Sequence, residues 1–296
     1  MSNNFFETDC MKRNKGTLIP IGGNEDKGVV EDDFNKLDYI EEGILSHVVR
    51  EAGGVEAKIV VIPTASRIPK EVGNNYIDAF ETLGCKHVTV LNIRSKQDSE
   101  NPEFITAVKA ANCVMFSGGD QSKITDRIGG SSIHNILINR YKNEKGFVIA
   151  GTSAGAMAMA QEMIAGGSAT ESFVKGAVNM YKGLSLIPEL IIDTHFIQRG
   201  RFGRVSEAVA KFPDKIGIGL AEDTGLIIKH GIVEVIGSGM VIIFDPRKLK
   251  HNNERILKVG TPMSLTNLKV HVLANGDRFN IKKKKVKVLP VESPFI

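Results

Sequence analysis

Residues 146–157, GFVIAGTSAGAM, decide the fold class of this chain and point to a reactive serine. The apolar, partly β-branched residues 147–150 predict a buried strand, and small residues follow directly. A G-x-S-x-G sequence between a strand and a helix is typical of a nucleophile elbow, in which a sharp turn exposes the serine hydroxyl at the carboxyl edge of a sheet. We therefore predict Ser153 as a nucleophile and the Ala154 N–H, at a helix N-terminus, as an oxyanion donor. The alternative is a tight turn that contains a buried structural serine.

Predicted strands and helices alternate on the N-terminal side of this stretch. Near-continuous apolar strands separated by helices indicate a parallel sheet that is covered on both faces. The predicted strands are 17–21, 58–63, 87–93 and 112–116, and the predicted helices are 32–52, 69–83, 102–111 and 133–143. In such sheets, catalytic groups collect at the carboxyl ends of the strands. We therefore expect the segments IGGNEDK, PTASR, SGGDQ and GTSAG to open onto one edge.

The chain changes character from about residue 216, where short strands alternate with glycine turns. Strands are predicted at 216–220, 226–229, 232–236 and 240–244, and 268–273 and 279–289 are predicted to form a hairpin across Asn275-Gly276-Asp277. We predict a polar tail at 1–15 and a single α/β hydrolytic domain at 16–296. The residues from about 226 to 296 would form its antiparallel β extension.

The composition excludes several classes of protein. The net charge of +4 is too mild to imply nucleic acid, and the absence of tryptophan disfavours base-stacking surfaces. The longest weakly polar run, 147–160, is too short to span a bilayer. The three cysteines form no C-x-x-C pair, and the first residues do not read as a signal peptide. We expect a cytoplasmic protein with reduced thiols, no metal and no other cofactor.

A nucleophilic serine requires a general base, and His195 is the histidine in the most suggestive setting. It lies in DTHFIQRGR, just after the apolar residues 190–192, and should emerge at a strand end. Glu222 follows another glycine-flanked strand and is a candidate for the orienting acid, but sequence spacing leaves Asp193 and Asp223 as alternatives. The order serine, histidine, acid differs from that of ordinary α/β-hydrolases and disfavours a conventional lipase or esterase.

Gly118 and Gly119, in SGGDQ, are candidates for the second oxyanion donor. Because glycine has no side chain, a backbone N–H there can approach a substrate closely. The alternative is a structural or phosphate-binding turn.

A compact cationic cluster beside His195 predicts an acidic substrate, because guanidinium groups bind carboxylates with two parallel hydrogen bonds. It consists of Arg199, Arg201 and Arg204. The alternative is a solvated basic turn that pairs with Glu207 or Asp214. Acids predicted at the same edge would receive a cationic part of the substrate, and they are Glu25, Asp26 and Asp120.

Five motifs in this order, IGGNEDK, SGGDQ, AGTSAGAMAM, DTHFIQRGRFGR and GLAEDTG, resemble the cyanophycinases, a serine peptidase group that also includes aspartyl dipeptidases. The resemblance spans about 17–225. It implies a three-layer α/β fold related to class I glutamine amidotransferases (flavodoxin-like), a homodimer, and the cleavage of cyanophycin, a polyaspartate with arginine on each side-chain carboxyl, to β-Asp-Arg dipeptides.

By motif, the resemblance implies Ser153 as the nucleophile, His195 as the base and Glu222 as the orienting acid. It implies five residues of the substrate pocket, namely Gln121, Asp193, Arg199, Arg201 and Arg204. The leading hypothesis is therefore a serine exopeptidase that acts on cyanophycin through an acyl-enzyme. An aspartyl or isoaspartyl dipeptidase with the same triad is the first alternative, and a non-catalytic nucleotide- or phosphate-binding module is the second. A glutamine amidotransferase is disfavoured because the elbow carries serine and not cysteine.

Overall fold

The computed structural model describes residues 14–28, 38–167 and 173–290. The strands in these ranges are β1 (Thr17–Ile21), β2 (Lys58–Ile62), β3 (His87–Val90), β4 (Cys113–Phe116), β5 (Val148–Thr152), β6 (Glu162–Gly167), β7 (Val178–Lys182), β8 (Leu190–Asp193), β9 (Ile216–Leu220), β10 (Thr224–Lys229), β11 (Ile232–Gly237), β12 (Val241–Asp245), β13 (Lys269–Leu273), β14 (Arg278–Asn280) and β15 (Lys285–Lys287). The α-helices are α1 (Ile44–Glu51), α2 (Pro69–Thr82), α3 (Pro102–Ala110), α4 (Gln121–Ile128), α5 (Ser132–Asn143), α6 (Ala154–Met157) and α7 (Phe202–Lys211). Two short 3₁₀ helices, Gln97–Glu100 and Pro246–Lys248, complete the described elements.

The central sheet has nine strands in the order β15-β14-β11-β10-β1-β5-β4-β2-β3. Its five strands β1, β5, β4, β2 and β3 run parallel to one another. The other four continue the sheet from β1 with antiparallel pairing. The predicted α/β architecture, with a largely parallel central sheet and extra antiparallel strands, is confirmed.

Strands β1, β2, β4 and β5 are almost entirely buried. Because successive side chains of a strand point to opposite faces, both faces of this part of the central sheet are covered. On β1, Ile19 and Ile21 pack with α1 and α2, whereas Leu18 belongs to the core that contains residues of α3, α4 and α5. The helices of the two faces enclose the strands, which explains why the strands are almost continuously apolar.

Two smaller sheets complete the described fold. The first has the order β13-β12-β9-β8, in which β8 and β9 are parallel and the other pairs antiparallel. The second is the antiparallel pair β6–β7. Neither was predicted as a separate sheet. The first of them is important for the site, because β8 leads to His195 and β9 leads to Glu222.

Two predictions about elements are wrong. Within the described residues, the helix predicted at 32–52 begins only at Ile44. The carboxylate and carbonyl of Asp38 accept hydrogen bonds from the N–H groups of residues 40–43, which therefore form a turn. Residues 29–37 lie outside the described ranges. The hairpin predicted from 268–273 and 279–289 does not form. Instead, β13 pairs with β12 and β14 pairs with β11, in two different sheets.

The topology confirms that the four selected segments open onto one edge of the central sheet. IGGNEDK follows β1, PTASR follows β2, SGGDQ follows β4 and GTSAG contains the end of β5, and these strands are parallel. Within the described ranges, no helix has the length and apolar character needed to cross a membrane.

Candidate active site

Ser153 occupies a strained turn between β5 and α6. Its backbone has a φ of 50° and a ψ of −108°, which is rare for a residue other than glycine. Its N–H donates to the carbonyl of Ile21 at 2.9 Å. A β-carbon built on Gly155 would lie 2.5 Å from the carbonyl oxygen of Phe116, and one built on Gly151 would lie 2.7 Å from the Gly155 carbonyl carbon. The two glycines are therefore required for the tight turn.

Ser153, His195 and Glu222 form a hydrogen-bonded series. The Oγ of Ser153 lies 3.0 Å from Nε2 of His195, and Nδ1 of His195 lies 2.6 Å from Oε1 of Glu222. Because a carboxylate only accepts hydrogen bonds, Nδ1 carries the proton in the neutral imidazole. Nε2 is then free to accept the serine proton, which is the arrangement required of a general base.

The other two candidate acids have different partners. Asp193 is fully buried and pairs with arginines. Asp223 accepts hydrogen bonds from the Ser238 hydroxyl and from the N–H of Asp26. Of the three carboxylates that spacing left open, Glu222 is the one hydrogen-bonded to His195.

The segment Gly22-Gly23-Asn24 holds the histidine and the acid in place. The carbonyl of Gly22 accepts from the N–H of His195 at 2.9 Å. A β-carbon on Gly23 would lie 2.4 Å from Cε1 of His195, so the imidazole lies directly on this glycine. The side-chain amide of Asn24 donates to Oε2 of Glu222 at 3.3 Å. Sequence reasoning placed this segment at the correct edge but missed these contacts. A signal was present in the two successive glycines, which permit close approach.

Glu25 is a buried carboxylate that binds the end of β5, next to Ser153. It is 4% exposed, and its carboxylate accepts hydrogen bonds from the hydroxyls of Tyr76 and Thr152 and pairs with Lys27 at 3.0 Å. Burial acts to raise its pKa, but the charge of Lys27 and the two hydroxyl donors outweigh it, and the pKa lies below its usual value. The expectation that Glu25 receives a cation of the substrate is therefore wrong, because its partners lie within the protein.

Two of the three predicted oxyanion donors, Gly118 and Ala154, lie beside the serine. A β-carbon on Gly118 would be 3.4 Å from Cβ of Ser153 and 3.9 Å from its Oγ. Ala154 follows Ser153 as the first residue of α6. Gly119 has a φ of 138°, and a β-carbon there would lie 2.3 Å from the carbonyl oxygen of Ala65. Gly119 therefore packs against the segment that follows β2.

The predicted pocket residues include a buried pair, Asp193 and Arg204, whereas Gln121 and Arg201 are partly buried. Asp193 bridges Nη1 of Arg201, at 2.9 Å, and Nε of Arg204, at 3.1 Å. Arg204 is 5% exposed, and burial raises the pKa of Asp193 against the lowering effect of both guanidinium groups. Arg199 is exposed. The alternative in which the arginines pair with Glu207 or Asp214 is wrong: Glu207 accepts from the N–H of Gly176, and Asp214 pairs with Lys215.

Two further predicted residues lie at the start of α4. The side-chain amide of Gln121 donates to the carbonyl of Ile164 at 2.8 Å and so joins α4 to β6. Asp120 is exposed and caps α4 through the N–H of Ser122. Among the described residues, no group of three or more histidine, cysteine, aspartate or glutamate side chains is arranged to hold a metal ion.

A model of peptidase family S51 matches residues 33–236 of the chain. The chain belongs to peptidase family S51. It is 37% identical over 273 residues to a cyanophycinase of Trichormus variabilis, and the alignment covers 92% of this chain and 88% of the relative. A cyanophycinase of Geminocystis herdmanii is 35% identical, over 90% of this chain and 94% of the relative. The resemblance to cyanophycinases and the prediction of a serine-type peptidase are confirmed.

A solved structure supports the fold of this S51 peptidase. The crystal structure of a peptidase from an acI-B1 Actinobacterium aligns with a TM-score of 0.64 and covers 91% of this chain and 98% of its own. The two sequences are only 19% identical, so the likeness concerns the fold alone.

Proposed function

We propose that this S51 peptidase is a cyanophycinase, a serine exopeptidase that hydrolyses cyanophycin (multi-L-arginyl-poly-L-aspartate) to β-Asp-Arg dipeptides through an acyl-enzyme. One observation carries the proposal. The chain is 37% identical to a cyanophycinase over 92% of its length and places Ser153 3.0 Å from His195 at a nucleophile elbow.

The geometry supports general-base catalysis by His195. Nε2 takes the proton of Ser153 as Oγ attacks the scissile carbonyl, while Nδ1–H remains on Glu222, which stabilises the imidazolium. His195 then gives the proton to the leaving amine. In the second half of the reaction, His195 takes a proton from water as the water attacks the acyl-enzyme. It then returns the proton to Oγ of Ser153, which leaves as the free hydroxyl.

The negative oxygen of each tetrahedral intermediate would be held by backbone N–H groups of Ala154 and of Gly118 or Gly119. The positions of Gly118 and Ala154 beside Ser153 support this role. In serine peptidases, one such donor contributes about 3 kcal/mol to lowering the barrier. The strained backbone of Ser153 keeps Oγ and the first donor in a fixed relation.

The substrate pocket would combine Gln121, Asp193, Arg199, Arg201 and Arg204. Arg199 is the exposed arginine of the set and would meet the α-carboxylates of the arginine residues that the substrate carries, together with the exposed part of the Arg201 guanidinium. Asp193 and Arg204 would form the buried ion pair that orients Arg201. A cationic part of the substrate would meet Asp26 or Asp120, since Glu25 is already paired.

The resemblance to cyanophycinases also bears on the fold class, the domain organisation and the oligomeric state. We infer a three-layer fold of the class I glutamine amidotransferase (flavodoxin-like) type, in a single domain at 16–296, and a homodimer. The five parallel strands with helices on both faces support this class. The buried free thiols of Cys85 and Cys113 support a cytoplasmic location, where thiols stay reduced.

The test is to incubate the purified protein with insoluble cyanophycin and to identify soluble products by mass spectrometry, with Ser153→Ala as the control. Release of β-Asp-Arg by the wild type alone supports substrate and nucleophile together. No release from cyanophycin, with cleavage of free aspartyl or isoaspartyl dipeptides, would contradict the proposed substrate and leave the dipeptidase.

A further inference from the structure

The segment of residues 21–25 contacts all three members of the catalytic series or their immediate neighbours. Its backbone carbonyls bind the N–H groups of Ser153, His195 and Asp223, the last being the residue after Glu222. The Glu25 carboxylate binds the Thr152 hydroxyl, one residue before the nucleophile. In this segment, Asn24 is the residue whose side chain is hydrogen-bonded to a catalytic group.

Asn24 binds the carboxylate oxygen of Glu222 that is not hydrogen-bonded to His195. Oε1 accepts from Nδ1 of His195, and Oε2 accepts from Nδ2 of Asn24. The terminal torsion of a glutamate is broad and roughly two-fold, so one hydrogen bond alone leaves the carboxylate free to turn. Because the Glu222 side chain is 26% exposed, water competes for it as well. A second, fixed donor selects the orientation in which Oε1 faces the imidazole.

The backbone at this position restricts which residue can supply such a donor. Asn24 has a φ of 52°, and asparagine is among the few residue types other than glycine that adopt this conformation at low cost. Asparagine therefore satisfies the left-handed backbone and supplies an amide N–H at the same place. Glycine would satisfy the first requirement only, and this difference allows the two roles to be separated.

We propose that Asn24 is a positioning residue of the acid–base pair, which holds Oε2 of Glu222 so that Oε1 stays on Nδ1 of His195. The proposal rests on the proposed function because its kinetic test uses the substrate named there, whereas the contacts of Asn24 are independent of that substrate. Its effect is exerted through Glu222 and so concerns the rate of the chemical step, whereas a direct contact with substrate would change KM.

Two variants separate the amide from the backbone. Asn24→Gly keeps the left-handed conformation and removes the donor. Asn24→Asp keeps the shape and places a second carboxylate against Glu222, where like charges repel. We would measure kcat and KM on short soluble segments of cyanophycin, the rate of Ser153 inactivation by an organophosphonate reagent, and Tm.

We expect Asn24→Gly to lower kcat about three- to tenfold, which is the net value of one hydrogen bond, with KM within twofold of the wild type. Asn24→Asp should lower kcat further, and both should slow inactivation by the reagent. Tm should change little, because Asn24 is exposed. An unchanged kcat in Asn24→Gly, or a change confined to KM, would overturn the proposal.

The reagent also separates this proposal from the proposed function. If wild-type protein reacts with the organophosphonate but releases nothing from cyanophycin, the proposed substrate fails. The inactivation rates of the two variants would then still decide the role of Asn24: slower rates support it, and rates equal to that of the wild type overturn it.

Discussion

His195 and Glu222 face each other across 2.6 Å because they follow two neighbouring parallel strands, β8 and β9, of the four-stranded sheet. Ser153 follows β5 of the central sheet. The proposed catalytic series therefore joins two sheets, and the 3.0 Å contact between Oγ of Ser153 and Nε2 of His195 depends on how these sheets pack together. Residues 22–24 lie at the junction and bind the loops that carry both partners of the serine.

Glu222→Gln should lower kcat/KM by about four orders of magnitude while leaving the fold intact. The analogous change in a serine protease triad stabilises the wrong imidazole tautomer and has an effect of this size. Here the amide N–H₂ would favour a proton on Nε2 of His195, which could then no longer accept from Ser153. The measurement is steady-state kinetics on soluble cyanophycin segments.

Asp223→Asn is the matched control for that substitution. Asp223 is the next residue and was an alternative acid, but its carboxylate binds Ser238 and not His195. We expect kcat/KM to stay within tenfold of the wild type. Equal losses in Asp223→Asn and Glu222→Gln would contradict the assignment of the acid.

Gly23→Ala should inactivate the enzyme through its effect on His195. The new methyl group would lie 2.4 Å from Cε1 of the imidazole, so the ring must move. A displacement of about 1 Å at a catalytic group can cost about 10²-fold in rate, and we expect kcat to fall at least that far.

Gly53→Ala separates this clash from backbone strain. Gly53 has a φ of 106°, close to the 102° of Gly23, but a β-carbon there would meet nothing within 4 Å. Gly53→Ala should lose somewhat more than about 1 kcal/mol of stability from the backbone strain alone, and Gly23→Ala should lose more because its clash adds to the strain; urea unfolding measures both. If Gly53→Ala lost as much activity as Gly23→Ala, strain rather than contact with His195 would explain the loss.

Arg204→Ala should destabilise the protein, whereas Arg199→Ala should impair substrate binding. Removing Arg204 takes one of the two arginine partners from the fully buried Asp193, and breaking a buried pair typically costs about 3–5 kcal/mol. Arg199 is exposed, so its loss should raise KM with little change in the free energy of unfolding. The reverse pattern would contradict the division of the pocket into a buried support and an exposed contact.

Acid should destabilise the elbow through Glu25. Its pKa in the folded protein lies below the usual value, so its contribution to stability is complete above that usual value and is lost as the pH falls through the folded-state pKa. The free energy of unfolding should therefore decrease below about pH 4.5. Urea unfolding of Glu25→Gln should show a shallower decrease, and parallel curves for the two proteins would contradict this role.

Local patterns in the sequence predict those parts of the fold that depend on local chemistry. The elbow is encoded in residues 146–157 by a strand, small residues and a turn, and the structure places these elements as expected. The strand-end segments could likewise be placed at one edge, because parallel topology fixes which ends meet.

The remaining features depend on contacts between distant residues. The pattern at 268–289 resembles a hairpin, but β13 and β14 each find a better partner in a different sheet, and no local signal decides between these pairings. The choice of Glu222 over Asp193 and Asp223 likewise follows from three-dimensional packing. The role of Gly23 becomes visible only when His195 is seen to lie on it.

A protection experiment shows most directly whether Ser153 is the nucleophile that attacks cyanophycin. The protein is treated with an organophosphonate reagent, with and without soluble cyanophycin segments, and the modified peptide is identified by mass spectrometry over time. We predict modification of Ser153 alone, at a rate that the segments lower in proportion to their occupancy of the site. Modification of another residue, or a rate of Ser153 modification that saturating segments leave unchanged, would show that Ser153 is not the nucleophile for this substrate.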